Sequence, residues 1–263
     1  MSKVFIGVGH GGSDAGAVGN GLKEKEINLS IALHLREELQ RHGVTVGISR
    51  TVDEEDPTSE EVKECNAFSP EYAVDIHTNS GGGMGFEVYH TLSGGKGKVL
   101  AQNIEAEVIK IGQKSRGLKT RTNSAGKDYF GFIRQTKCPA VILECAFIDS
   151  ADAQKINTEE KRRTFAAAYA KGILKTLGIA YRANHDEGGS RKDSAGQGGA
   201  GCVYNSVPRR LQVRGRVDGK VGKGDEIRKD VDYERKSKIT GTAGKAFALS
   251  ARKGNLRIGF AQG

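Results

Sequence analysis

Val4-Phe5-Ile6-Gly7-Val8-Gly9-His10-Gly11-Gly12 opens the chain with a short apolar run that breaks into glycines around a histidine. Residues 4–8, rich in β-branched side chains and bounded by glycine, suit a buried strand. Residues 44–48, 73–77, 86–89 and 139–144 read as further strands. Helical stripes lie between them. Ile27, Ile31, Leu35 and Leu39 recur at helical spacing until Gly43 stops them. A second helix starts at Thr58, with Thr58 and Glu61 at capping-box spacing, and runs to about Phe68. Leu100, Ile104, Val108 and Ile111 share one face of residues 99–111. Phe165, Tyr169, Ile173 and Leu177 mark the last helix before Gly178, while residues 13–22 read as a loop. Strands alternating with helices predict an α/β fold, a single mixed or mostly parallel sheet with helices on both faces.

In such sheets, ligands bind at the carboxyl ends of the strands. His10 follows the first strand by two residues, His77 ends the third and Glu144 ends the last. Histidine is only 6 of 263 residues, so two at strand ends are informative. Two histidines and a carboxylate from separate segments form the ligand set of a catalytic zinc that keeps one position open for water. The segments here are Gly9-His10-Gly11-Gly12, Lys23-Glu24-Lys25 and Asp75-Ile76-His77-Thr78-Asn79, and Glu26 rivals Glu24. Glu144 closes the apolar run Val141-Ile142-Leu143, where a carboxylate is costly unless a cation is near. The glycines around His10 also match a dinucleotide fingerprint, which needs a helix to begin at the glycines themselves. Here Gly19-Asn20-Gly21 intervenes and helical periodicity starts near Ile27.

Charge divides the chain. Residues 1–179 hold 23 Lys+Arg against 23 Asp+Glu, and residues 180–263 hold 18 against 9. The net +9 therefore sits in the last third, and a nucleic-acid reading of the basic balance would apply only there. That tail has 15 glycines and sparse apolar residues, with apolar windows only at 203–207, 227–231 and 256–260. It reads as poorly structured: a weak electrostatic anchor, a disordered extension or out-of-frame sequence. The domains expected are thus 1–179 and 180–263. Cys65, Cys138, Cys145 and Cys202 lie far apart, without the pairing of a thiolate zinc site, and read as free thiols. The first residues carry no recognisable signal peptide, and no stretch reaches the ~18–20 apolar residues of a membrane span.

In their order these motifs resemble the zinc-dependent N-acetylmuramoyl-L-alanine amidases of the amidase-3 family, found among cell-wall hydrolases and phage endolysins. The resemblance covers residues 3–178. It takes in the Gly-His-Gly-Gly start, Gly21-x-x-Glu24-Lys25, Ser49-Arg50-Thr51 with Asp53, and Asn66. It continues through Asp75-Ile76-His77-Thr78-Asn79-Ser80, Gly85-Phe86-Glu87, and Pro139 to Glu144 with Phe147-Ile148. The resemblance implies one Zn2+ per chain held by His10, Glu24 and His77, and so prefers Glu24 to Glu26. Glu144 is then implied as the catalytic acid/base. The implied reaction is hydrolysis of the amide between N-acetylmuramic acid and L-alanine by zinc-activated water. Asn79, Ser80 and Arg134 are weaker substrate-contact candidates. The expected partner is peptidoglycan, with no specific nucleic acid, membrane insertion or protein partner. A zinc peptidoglycan peptidase on the same scaffold, or a non-catalytic wall-binding protein, is the alternative. The expected setting is synthesis in the cytoplasm and action on the wall after release through a lesion made by another protein.

Overall fold

A computed structural model describes residues 1–183 and, further on, the backbone of three strands. The chain divides into two units, Met1–Arg191 and Lys192–Gly263. The first is built on a six-stranded sheet: β1 (Lys3–Val8), β4 (Thr45–Ile48), β5 (Tyr72–Asn79), β6 (Phe86–His90), β7 (Ser115–Lys119) and β8 (Ala140–Phe147). Their order is β4-β1-β5-β8-β6-β7. β4, β1, β5 and β8 run parallel; β6 is antiparallel to β8 and carries β7 parallel to itself. The sheet is therefore mixed, as the α/β reading allowed.

Strand alternation sends successive side chains to opposite faces. Val4, Ile6, Val8, Val74, Ile76, Val88, Val141 and Leu143 belong to the main core. On this face they meet Ile27, Ile31, Leu35 and Leu39 of α1 (Glu24–Arg41), Leu100, Ile104 and Val108 of α3 (Gly95–Lys110), and Phe165, Tyr169 and Ile173 of α5 (Glu159–Thr176). The apolar spacings read from the sequence are the ones buried, except that Ile111 and Leu177 at the ends of their stripes are only partly buried. On the opposite face a small second core joins Phe5, Ala73 and Ala140 to Val62 and Cys65 of α2 (Thr58–Phe68) and Phe132 of α4 (Gly131–Gln135).

The structure departs from the local sequence pattern in three places. α1 begins at Glu24, a turn ahead of Ile27, because a hairpin of β2 (Val18–Gly19) and β3 (Leu22–Lys23) occupies the presumed loop and delivers Glu24 as the first helical residue. The capping box at Thr58 does not form. Pro57 is the N-cap, and Glu61 turns inward, 2% exposed, to accept the Val8 N–H at 3.0 Å. β7 and α4 carried too little periodicity to be noticed.

Ile179 and Tyr181 pack against the main core, and the Tyr181 ring stacks on His42 at 4.9 Å. Cys65, Cys138 and Cys145 are free thiols; Cys202 lies outside the described residues. In the second unit, β9 (Ile239–Thr240), β10 (Ala246–Arg252) and β11 (Asn255–Phe260) form an antiparallel sheet of order β11-β10-β9. β11 coincides with the last apolar window. The windows at 203–207 and 227–231, and most of the tail expected to be poorly structured, lie outside the described residues. Among the described residues no helix is long and apolar enough to cross a membrane.

Candidate active site

The carboxyl end of β1 runs directly into the site. His10 adopts a left-handed backbone conformation with φ of 66°, a region that Asn, Asp and His enter more readily than other side chains. Two glycines beside it are required by close approach. A Cβ on Gly9 would lie 2.2 Å from the His77 ring, and one on Gly16 would lie 2.7 Å from both Glu24 Oε2 and the His10 ring. The glycine pattern that mimics a phosphate loop thus makes room for side chains instead.

Buried Arg50 ties this loop to the start of α1. Its guanidinium donates to the carbonyls of Val8 at 3.1 Å, Gly9 at 3.4 Å and Lys25 at 2.9 Å. Lys25 in turn donates to the Gly12 carbonyl at 2.7 Å and to Asp53 at 2.8 Å, and Asp53 accepts the Gly12 N–H.

Glu24 is buried at the helix N-terminus, where a negative charge is favoured. Its Oε2 accepts the Ala17 N–H at 2.8 Å, and its Oε1 accepts the Thr78 N–H at 2.9 Å. Glu26 is exposed and pairs with Lys23 at 3.4 Å. His77, near the end of β5, approaches Glu24 Oε1 with Nδ1 at 3.0 Å and Asp75 Oδ2 with Nε2 at 3.3 Å. His10 mirrors this arrangement, with Nε2 at 3.3 Å from Glu24 Oε2 and Nδ1 at 2.8 Å from Asp14 Oδ2. The two rings meet edge to face with centroids 5.1 Å apart.

Each imidazole therefore turns one nitrogen to Glu24 and the other to an aspartate. A ligating histidine is commonly oriented in this way by a carboxylate on its outer nitrogen. Ligand atoms of His10, Glu24 and His77 all lie within 4.8 Å of one another. Zinc bonds of about 2.0–2.2 Å in tetrahedral array leave ligand atoms roughly 3.4 Å apart, close to the observed His–Glu separations. The donor set fits the ion in type, number and spacing.

Electrostatics point the same way. Burial works to raise the Glu24 carboxyl, but the hydrogen bonds and charges of His10 and His77 outweigh it and hold Glu24 far below the usual range. The hydrogen bond to Glu24 raises His10. His77 is raised too: burial opposes its charge, and Asp75 and Glu24 prevail. This is a pocket that stabilises positive charge.

Glu144 stands on β8 in register with His77 on one side and with Glu87 of β6 on the other. Burial pushes its carboxyl up to about 7; His77 opposes the rise, while Glu24, Asp75 and Glu87 add to it. Glu87 is buried and stays ionised, because Arg116, Tyr89 and Lys119 overcome its burial.

A comparison with known families matches residues 4–175 to the model described as N-acetylmuramoyl-L-alanine amidase. The chain belongs to the N-acetylmuramoyl-L-alanine amidase family. It is 38% identical over 184 residues to the sporulation-specific N-acetylmuramoyl-L-alanine amidase of Bacillus subtilis (strain 168), covering 68% of this chain and 69% of that protein. It is 34% identical over 190 residues to the endolysin of Bacillus phage SPP1, covering 68% of each. Among solved structures it is similar to the catalytic domain of CwlV, an N-acetylmuramoyl-L-alanine amidase from Bacillus (Paenibacillus) polymyxa var. colistinus. That match has a TM-score of 0.62 at 29% identity, and covers 68% of this chain and 100% of that one. The chain is an amidase that hydrolyses peptidoglycan and acts on the cell wall.

Two of the weaker substrate-contact candidates, Asn79 and Arg134, make side-chain hydrogen bonds within the chain. Asn79 donates to Glu87 at 3.2 Å, and its Oδ1 accepts the N–H of exposed Ser80. Arg134 donates to the carbonyls of Asp128 at 2.7 Å and Tyr129 at 2.6 Å. Asp14, Asp75 and Arg50 received no role from the sequence. Asp75 could have been found, since it lies two residues before His77 and so shares its strand face. Asp14 sits in a loop of no period, and Arg50 reaches the site from outside it.

Proposed function

We propose that the amidase works through one zinc held by His10, Glu24 and His77, with Glu144 as general acid and base. The observation that carries this reading is the convergence of two imidazoles on one buried carboxylate, each with its outer nitrogen on an aspartate. When bound, zinc supplies Lewis acidity, lowering the pKa of water toward 7 and polarising the amide carbonyl.

The chain's own residues do the rest. Asp14 and Asp75 hold the imidazoles with one nitrogen facing Glu24. Arg50 and Lys25 keep the loop of His10 against the start of α1. Glu144 takes a proton from the attacking water and returns it to the nitrogen of the departing L-alanine. A carboxyl raised to about 7 can both accept and donate near neutral pH. The phage endolysin among its relatives supports delivery to the wall through a lesion made by another protein.

Removal of zinc with a strong chelator should abolish release of L-alanyl peptides from soluble muropeptides, and added zinc should restore it. Mass spectrometry of the products distinguishes amide cleavage at muramic acid from cleavage within the peptide. Full turnover by protein that elemental analysis shows to be metal-free would sink the metal mechanism.

A further inference from the structure

The floor of the site continues past Glu144 to the edge of the sheet. His77, Glu144 and Glu87 are cross-strand neighbours on β5, β8 and β6, and cross-strand neighbours share a face. Beyond Glu87, the edge strand β7 brings two cations to the same carboxylate, Arg116 Nε at 2.5 Å and Lys119 Nζ at 3.4 Å. Two positive charges meet one negative, so this end carries a net charge of +1.

Both side chains remain accessible, Arg116 at 39% and Lys119 at 32%. The Arg116 guanidinium also rests over the Phe147 ring at 5.1 Å. Among the described residues, neither Arg116 Nη1 or Nη2 nor Lys119 Nζ has a further hydrogen-bond acceptor.

We propose that Arg116 and Lys119 form a subsite for a carboxylate on the peptide arm of the substrate, one residue beyond the alanine released at the scissile amide. Adjacent strands lie about 4.8 Å apart, so β7 is roughly 10 Å from the strand of Glu144. An extended peptide advances about 3.3–3.6 Å per residue, and a long cationic side chain leaning in from the edge closes the remainder. The two accessible cations stand on β7, so the arm runs toward that edge. This inference rests on Glu144 marking the scissile bond.

The test is calorimetric titration of the zinc-loaded full chain carrying Glu144→Gln. The probes are N-acetylmuramoyl-L-alanyl-D-glutamic acid and the same compound with the α-carboxylate amidated. The acid should bind about fivefold or more tightly than the amide, as expected for charge-assisted hydrogen bonds at a partly exposed site. Adding Lys119→Met should bring that ratio close to one, and Arg116→Gln, in a separate protein, should lower it as well. Equal binding of acid and amide, or a ratio that neither substitution moves, overturns the subsite. Cleavage of the acid by the Glu144→Gln protein, compared with the unaltered protein by mass spectrometry, keeps the two readings apart. A preserved binding preference with near-normal cleavage by Glu144→Gln supports the subsite and counts against the role given to Glu144; loss of cleavage in Glu144→Gln with no binding preference sinks the subsite alone.

Discussion

On β1, Val4, Ile6 and Val8 face α1, α3 and α5, whereas Phe5 and Gly7 face α2 and α4. β5 turns Val74 and Ile76 to the first side and Ala73, Asp75 and His77 to the second. One face is thus a continuous apolar core under three long helices. The other is covered by an 11-residue and a 5-residue helix, and carries Asp75, His77, Glu144 and Glu87. Burying such groups is costly unless each is paired. Most here are: Glu24 by two histidines and backbone N–H groups, Glu87 by Arg116 and Tyr89. Asp75 Oδ1 is an exception, buried with no hydrogen-bond partner among the described residues. Stability concentrates on the face that does no chemistry, which lets the other face hold groups that would otherwise unfold it.

That division can be broken deliberately. Glu144→Gln should leave the fold and zinc stoichiometry intact while turnover on soluble muropeptides falls about 10²–10⁴-fold, the usual contribution of a general acid/base. Near-normal turnover would assign the proton transfer to another group. On the opposite face, Ile76→Ala should cost about 2–5 kcal/mol in denaturant unfolding, because it leaves a cavity in a fully buried layer. Its turnover per folded molecule should stay near normal; a loss as large as that of Glu144→Gln would mean that the faces are not separable.

Asp75→Asn lies between these cases. Zinc affinity, measured by competition with a chromophoric chelator, should weaken about 10–100-fold, as for other carboxylates that orient a ligating histidine. Unchanged affinity would leave Asp75 a purely structural residue. The smallest effect concerns the edge of the first unit. A chain cut after Ile179 loses the stacking of Tyr181 on His42 and the hydrogen bond from the Arg182 N–H to His42 Nε2 at 2.9 Å. It should be about 1–2 kcal/mol less stable than a chain cut after Ala183, with the same turnover on soluble substrate. Equal denaturation midpoints would put the end of the unit at Ile179, where the apolar stripe of the last helix suggests it.

The alternation of strand and helix, the apolar faces of α1, α3 and α5, and the placing of His10, His77 and Glu144 at strand ends were legible in the sequence, because period and glycine punctuation are local properties. From the residues alone, Glu24 and Glu26 could not be separated. Their difference is burial, and burial follows from the β2–β3 hairpin that sets where α1 begins. Glu61 read as a helix cap and proved to be a buried acceptor for β1, since only packing decides which way a first-turn side chain points. Asp14, Arg50, Arg116 and Lys119 were silent for the same reason. Each acts on a partner distant in sequence or held in an irregular loop, where no period runs. Sequence by itself determined the long helices and the strands β1, β4, β5, β6 and β8, though not β2, β3, β7 or α4, and which residues end at one rim. Only the tertiary structure decided which carboxylate meets the histidines and which charges face Glu87, because those distances are set by strand order and register across the sheet.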